Sequence, residues 1–227
     1  MAGKNKVVFF LLYMGVVLSV LCACGRRSGM ESKAQSHAGL KGESSVPYFD
    51  RDKRAIKKYL ASYPDDSEAL DESDILTVHI GYASGAEYWE KFLEKVEKKE
   101  KCSIVIVTFS REAEPIISYI EYNGTDYFHM EDTSRIPEFR EEPHGGYRSW
   151  IYSDLFCLDV PEEEFKGIDF SKMKGTVQDI VFCKTKLQSY NDFVDYVNSD
   201  PEEYFNFSLY PLTEDTYLDV LKEEWKS

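Results

Sequence analysis

Ile104-Val105-Ile106-Val107-Thr108-Phe109 decides the fold. The run has no alternating polar position, which is the pattern of a strand covered on both faces. Upstream, Ile75–Ile80 alternates cleanly, with Leu76, Val78 and Ile80 on one side and Thr77 and His79 on the other. That is the pattern of a half-buried strand. Between the two lies Ser84-Gly85-Ala86-Glu87, which reads as a capping box. The helix it opens carries Trp89, Phe92, Leu93 and Val96 on one stripe, with Glu87–Lys91 and Glu94–Lys98 paired outside. Strand, helix, strand in that order implies a parallel pair joined by a right-handed crossover.

Downstream, Asn123-Gly124 sits between two strand patterns, a strong hairpin signal. A two-residue loop would pair Tyr122 with Thr125, Ile120 with Tyr127 and Ser118 with His129. Ile117, Tyr119, Phe128 and Met130 then share an apolar face, and His129 and Glu131 lie on the other. The same register opposes Glu121 and Asp126, an unfavourable like-charge pair.

The flanks complete the outline. Asp50–Leu60 reads as a short helix with Ile56, Tyr59 and Leu60 inward, followed by an acidic loop from Asp65 to Asp74. That loop lacks the ligand spacing of an EF-hand. Ile136–Arg148 is a polar loop; Trp150–Val160 and Val177–Cys183 read as strands. Ser189 caps a helix with Tyr190, Phe193, Val194 and Val197, and Thr213 is placed to cap a last one. Tyr204–Tyr210 reads as core or an edge strand, or as an aromatic platform for sugars or peptides. Together these elements predict one α+β domain over residues 47–227, with a mixed sheet of about five or six strands packed by helices.

The N-terminal segment is of another kind. Lys4 and Lys6 precede the unbroken apolar run Val7–Leu21, which ends in Leu21-Cys22-Ala23-Cys24. Basic start, apolar stretch and small residue before the cut are the parts of a secretory signal. The segment resembles the signal peptide and lipobox of a bacterial lipoprotein, with residues 1–23 removed and the lipid on Cys24. The resemblance implies a diacylglyceryl anchor, which holds a membrane without help from the protein surface. The alternative is an uncleaved anchor, but the apolar run only reaches the low end of the spanning range, about 17 residues. Arg26 and Arg27 follow the run and offset Lys4 and Lys6, so flanking charge sets no orientation. Residues 24–46 are rich in Gly, Ser, Lys and Ala and read as a flexible linker, spanning roughly 25 Å.

Composition excludes several roles. The chain has a formal charge of −14, and removal of Lys4 and Lys6 with the leader takes it to −16. No basic stripe exists for nucleic acid. With 16 Tyr and 14 Phe, the chain is too apolar to be disordered. Cys102, Cys157 and Cys183 remain after Cys22 and Cys24 are assigned to export, so at most one internal disulfide can form among them. No Cys/His spacing suggests zinc, and no cofactor motif occurs.

From Ile75 to about Cys157 the chain resembles a family of small secreted bacterial lipoprotein domains of unknown function. The residues that carry this are Val78-His79-Ile80-Gly81, then Phe109-Ser110-Arg111-Glu112-Ala113-Glu114-Pro115-Ile116, Ile120-Glu121-Tyr122-Asn123-Gly124 and Asp132-Thr133. The family more often has Gly at the position of Ala113 and Asp at that of Glu114. The resemblance implies an exported α+β module and brings no reaction. Residues 158–227 form a C-terminal extension beyond it.

No Gly-x-Ser-x-Gly elbow and no HExxH helix occurs, so no catalytic residue is assigned. The candidate ligand-binding residues are His129 and Glu131, which share a strand face, and His144 and Arg148, which flank Gly145-Gly146. His129 and Glu131 have the chemistry of metal ligands or an acid–base pair, but no further ligand is identifiable and the reading preferred is a solvent-facing polar patch on a hairpin. Paired glycines offer backbone amides to an anion, and Arg148 suits a carboxylate or phosphate. The expectation is a membrane-anchored extracytoplasmic lipoprotein, a non-enzymatic binding module for an envelope protein or small ligand. The alternatives are an extracytoplasmic hydrolase or metal-dependent enzyme, and a solute-binding component of a transporter.

Overall fold

A computed structural model describes residues 46–66, 69–70, 74–79, 81–110, 112–141, 143–161, 176–199 and 204–211. The leader, Cys24, the linker up to residue 45 and the helix expected from Thr213 lie outside the described residues.

The Ile104 run is the hub. It forms β3 (Cys102–Phe109), third from one edge of a six-stranded mixed sheet. The order is β2 (Ala83–Ser84), β1 (Leu76–Val78), β3, β4 (Pro115–Tyr122), β5 (Tyr127–Asp132) and β6 (Tyr147–Tyr152). β1 and β3 are parallel and every other pair is antiparallel, so the expected parallel pair and the α+β class both hold. Alternate residues of β3 enter two different cores. Val105 and Val107 join Ile117, Tyr119, Phe128 and Met130 beneath α1 (Lys53–Leu60), with Ile56 and Leu60 fully buried. Ile104 and Ile106 join Trp89 and Phe92 of α2 (Ala86–Glu97) on the opposite face. Asp52 caps α1, its carboxylate accepting the amides of Arg54 and Ala55, so the helix starts later than its apolar pattern suggests.

The second face carries more than a helix. β7 (Asp154–Asp159), β8 (Gln178–Cys183) and β9 (Phe205–Leu209) make a separate antiparallel sheet. Ile180, Phe182 and Phe207 of this sheet pack into the same core as Leu76, Ile120 and Tyr152. Its outer side is covered by α4 (Tyr190–Asn198), through Phe193 on Val181, Cys183 and Leu158. Tyr204–Tyr210 is therefore a strand with Phe207 in the core.

Four expectations need correction. Trp150–Val160 is two strands, because the chain leaves one sheet at Ser153 and enters the other. Ser84 is not a cap: it pairs with Thr77 in β2, and Gly85 starts α2 in a left-handed conformation with no side-chain bond. A Cβ at Gly85 would lie 2.0 Å from the carbonyl oxygen of Ile75, so only glycine fits. β1 is not half-buried, since Thr77 is as inaccessible as Leu76. The hairpin register is shifted by two: Tyr122 pairs with Tyr127 and Ile120 with His129. Asn123 Oδ1 accepts the amides of both Thr125 and Asp126, which draws those residues into the loop. Glu121 thus faces Phe128, and Asp126 forms an ion pair with Arg51.

Cys102, Cys157 and Cys183 lie on β3, β7 and β8, and all three are free thiols. The acidic loop is put to structural use where it is described: Asp65 pairs with Arg135, and Asp74 accepts the Tyr88 hydroxyl at 2.6 Å.

Candidate functional site

The carboxyl ends of β1 and β3 lie side by side, the position at which parallel strands commonly present ligand sites. His79, just past β1, stacks on Phe109 at 4.8 Å and on Tyr82 at 4.4 Å. The chain then turns through Ser110–Glu114 into β4. Ser110 Oγ accepts the amides of Glu112 and Glu114, each at 3.2 Å, and donates to the Glu114 carboxylate. Ala113 takes φ +67°, the left-handed conformation that a glycine would hold without strain.

Opposite that turn, β5 ends at Asp132, which is fully buried. Its carboxylate accepts the Ser134 amide at 2.9 Å, the Ser134 hydroxyl at 2.6 Å and Arg135 Nη1 at 2.6 Å. Arg135 also donates to Asp65 and to the carbonyls of Leu60 and Tyr63, so it buckles β5 to the end of α1. Between the two segments is an open hollow of about 570 Å³. Glu112, Glu114 and Pro115 from the turn, Asp65 beyond α1, and Ser134, Arg135, Arg140 and Tyr147 line it. Arg135 is spent on the buckle. Arg140, at the end of α3 (Pro137–Arg140), donates Nε to the Ser134 carbonyl and is exposed. The hollow is thus lined by the exposed guanidinium of Arg140 and by the carboxylates of Asp65, Glu112 and Glu114, a lining that offers both charges to a ligand.

The expected site residues divide between buried and exposed positions. His129 and Glu131 share a face, as the alternation implies, but His129 is not solvent-facing. Phe205 of the second sheet covers it at 4.3 Å, and Trp150 and Tyr152 of the neighbouring β6 lie at 5.2 and 6.0 Å between ring centroids. His129 Nε2 lies 3.0 Å from Ser118 Oγ, and Nδ1 has no hydrogen-bond partner. Burial pushes its pKa down to about 3, so the ring is neutral. Glu131 stands opposite both Ser118 and Arg148 in the ladder. Burial raises its carboxyl pKa, and Arg148 pulls it back down. Arg148 extends over the Phe139 ring at 5.5 Å.

His144 is not brought to this group; it is exposed, and its carbonyl accepts the Tyr147 amide. Gly146 serves close packing: a Cβ there would sit 2.5 Å from the Ser134 amide, and its carbonyl accepts the Thr133 amide and hydroxyl. Among the described residues, no three of His, Cys, Asp and Glu converge as metal ligands.

Sequence reasoning passed over Asp132–Arg135 and Glu121. Glu121 shares the parity of Ile117 and Tyr119, which marks it as an inward carboxylate. It is fully buried, accepting the Phe49 amide at 3.1 Å and the Tyr119 hydroxyl at 2.8 Å.

Residues 72–145 match the family model described as Domain of unknown function (DUF4362). That stretch is about a third of the chain and takes in β1 to β5, the Ser110–Glu114 turn and the Asp132–Arg135 buckle. No curated protein and no solved structure matches the chain. Among the described residues, no helix is long and apolar enough to cross a membrane.

Proposed function

We propose that this chain is an extracytoplasmic lipoprotein, held to the membrane through Cys24, whose α+β domain is a non-enzymatic binding module. The observation that carries the tether is the run Val7–Leu21 ending in Leu21-Cys22-Ala23-Cys24. What supports binding is the hollow beside the turn that follows β3, lined by Glu112, Glu114 and Arg140 among others. A small ligand or peptide end with a carboxylate and an ammonium group matches that charge pattern.

The hydrolase alternative has one observation on its side, the Ser118–His129 contact. Both residues are only 1% exposed, so a substrate carbonyl has no approach to the hydroxyl. The reading is therefore binding.

Mass spectrometry of the mature protein tests the tether. An N-terminal Cys24 carrying acyl chains is expected; a free Gly25 or a retained Met1 refutes it. For the hollow, isothermal titration against a panel of amino acids and short peptides is expected to give binding that Arg140→Glu abolishes. Binding that survives that substitution places the ligand elsewhere.

A further inference from the structure

We propose that the basic flank of α1 docks on anionic lipid headgroups and so orients the domain on the membrane; this rests on the tether proposed above. Five of the eight residues 51–58 are basic, against 27 of 227 in the whole chain. Arg51 is held by Asp126. Lys53, Arg54, Lys57 and Lys58 are all exposed, and among the described residues none of them is paired with a carboxylate. Helical spacing sets Lys53 beside Lys57 and Arg54 beside Lys58, on one flank clear of the buried Ile56 and Leu60. Lys57 also lies over the Tyr147 ring at 4.1 Å.

Helix stability does not select this placement. Like charges at i and i+4 repel. Lys53 and Arg54 stand in the first turn, where the helix dipole favours acids and none is present. Only the capping carboxylate of Asp52 offsets them. An external anion relieves both costs. Four charges over two turns fall short of the long basic stripe of a nucleic-acid interface.

Position selects a lipid surface as the occupant. The described chain begins at Val46, and the linker expected before it leads from Cys24. α1 is the first described element, and the stretch from Val46 to Lys53 can reach at most about 25 Å. A face tethered that closely meets the bilayer at an effective concentration on the order of millimolar. An attraction too weak to recruit a free protein therefore orients a tethered one. The net charge of −14 does not prevent this. With a Debye length of about 8 Å, the bilayer acts on the flank turned toward it and little on carboxylates farther away. The acyl chains hold the domain, and the flank sets which side faces the headgroups.

The test uses the full-length chain in phosphatidylcholine vesicles, with and without roughly 30% phosphatidylglycerol. A neutral lysine-acylating reagent is applied, and each site is read by mass spectrometry. Labelling of Lys53, Lys57 and Lys58 is expected to be at least roughly threefold slower on the anionic vesicles and to recover in about 0.5 M salt. Lys98 and Lys99, exposed at the end of α2, are expected to keep one rate throughout. Arg54→Gln with Lys58→Gln, both at exposed positions, is expected to return Lys53 and Lys57 to their rate on neutral vesicles. Equal rates on the two vesicle types overturn the proposal, as does equal slowing at Lys98 and Lys99. Slowing that soluble polyphosphate produces and vesicles do not also overturns it. Flotation separates this result from the tether. A chain that floats with neutral vesicles and shows equal rates refutes the docking face alone, whereas one that does not float refutes both.

Discussion

His129 Nε2 is hydrogen-bonded to Ser118 Oγ across β5 and β4, among the rings of Trp150, Tyr152 and Phe205, which leave it 1% exposed. The imidazole is neutral, and charging it would place a cation among aromatic rings and apolar strands.

This sets an acid limit on stability. An unfolded histidine takes up its proton near pH 6.5, the folded one only near pH 3. Between those values the unfolded chain binds the extra proton, so the contribution is complete above pH 6.5 and declines as pH falls. The expected slope is about 1.4 kcal/mol per pH unit. Glu131 and Asp179, whose carboxyl pKa values burial raises, act in the opposite sense. Urea unfolding from pH 4 to 7 checks this by difference: His129→Phe is expected to remove a slope of that size.

Gly146 and Gly145 are neighbours with the same left-handed backbone and different surroundings. Gly146→Ala drives a Cβ to 2.5 Å from the Ser134 amide, whereas a Cβ at Gly145 meets nothing within 4 Å. Gly145→Ala is expected to cost about 1 kcal/mol of conformational strain. Gly146→Ala is expected to cost more than about 3 kcal/mol, because the Thr133–Gly146 contact must open. Thermal denaturation of both variants separates the two effects.

Arg135→Met removes the counter-charge from Asp132, whose side chain is 0% exposed. Breaking a buried pair from one side costs about 3–5 kcal/mol. The double variant Asp132→Asn with Arg135→Met is expected to recover a good part of that loss, measured by a denaturant double-mutant cycle. Additive losses would show that the two side chains act independently.

Ala113 holds φ +67° in the turn into β4. Ala113→Gly is expected to raise stability by about 0.5–1 kcal/mol, the left-handed strain relieved less the added chain entropy of glycine. A fall in Tm would show that the turn is not strained.

Much of the central sheet was legible. The Ile104 run demanded cover on two faces and has it, and the parity of Ile117, Tyr119, Phe128 and Met130 survives a register shift of two because the strand period is two. The shift itself depended on Asn123 Oδ1 capturing two amides, which the Asn-Gly pair alone does not announce. Parity also placed His129 and Glu131 on one face. It had no bearing on whether a strand some 75 residues later would cover that face, and Phe205 does. The break at Ser153 was equally silent, since both halves of Trp150–Val160 carry strand-forming residues. The Asp132–Arg135 buckle needed the carbonyls of Leu60 and Tyr63, which only the fold brings near.

The segment entering the domain at Val46 is fastened at three points. Its carbonyls at Val46 and Pro47 accept the hydroxyls of Ser103 and Tyr119, and its Phe49 amide donates to Glu121. Those partners lie on β3 and β4, the middle of the sheet rather than a margin. A pull on the N-terminal chain is thus delivered as shear across the most interior ladder, where bonds yield together, instead of peeling an outer strand bond by bond. The grip of Glu121 on the Phe49 amide therefore sets how much load applied at Val46 the domain can bear before it begins to open.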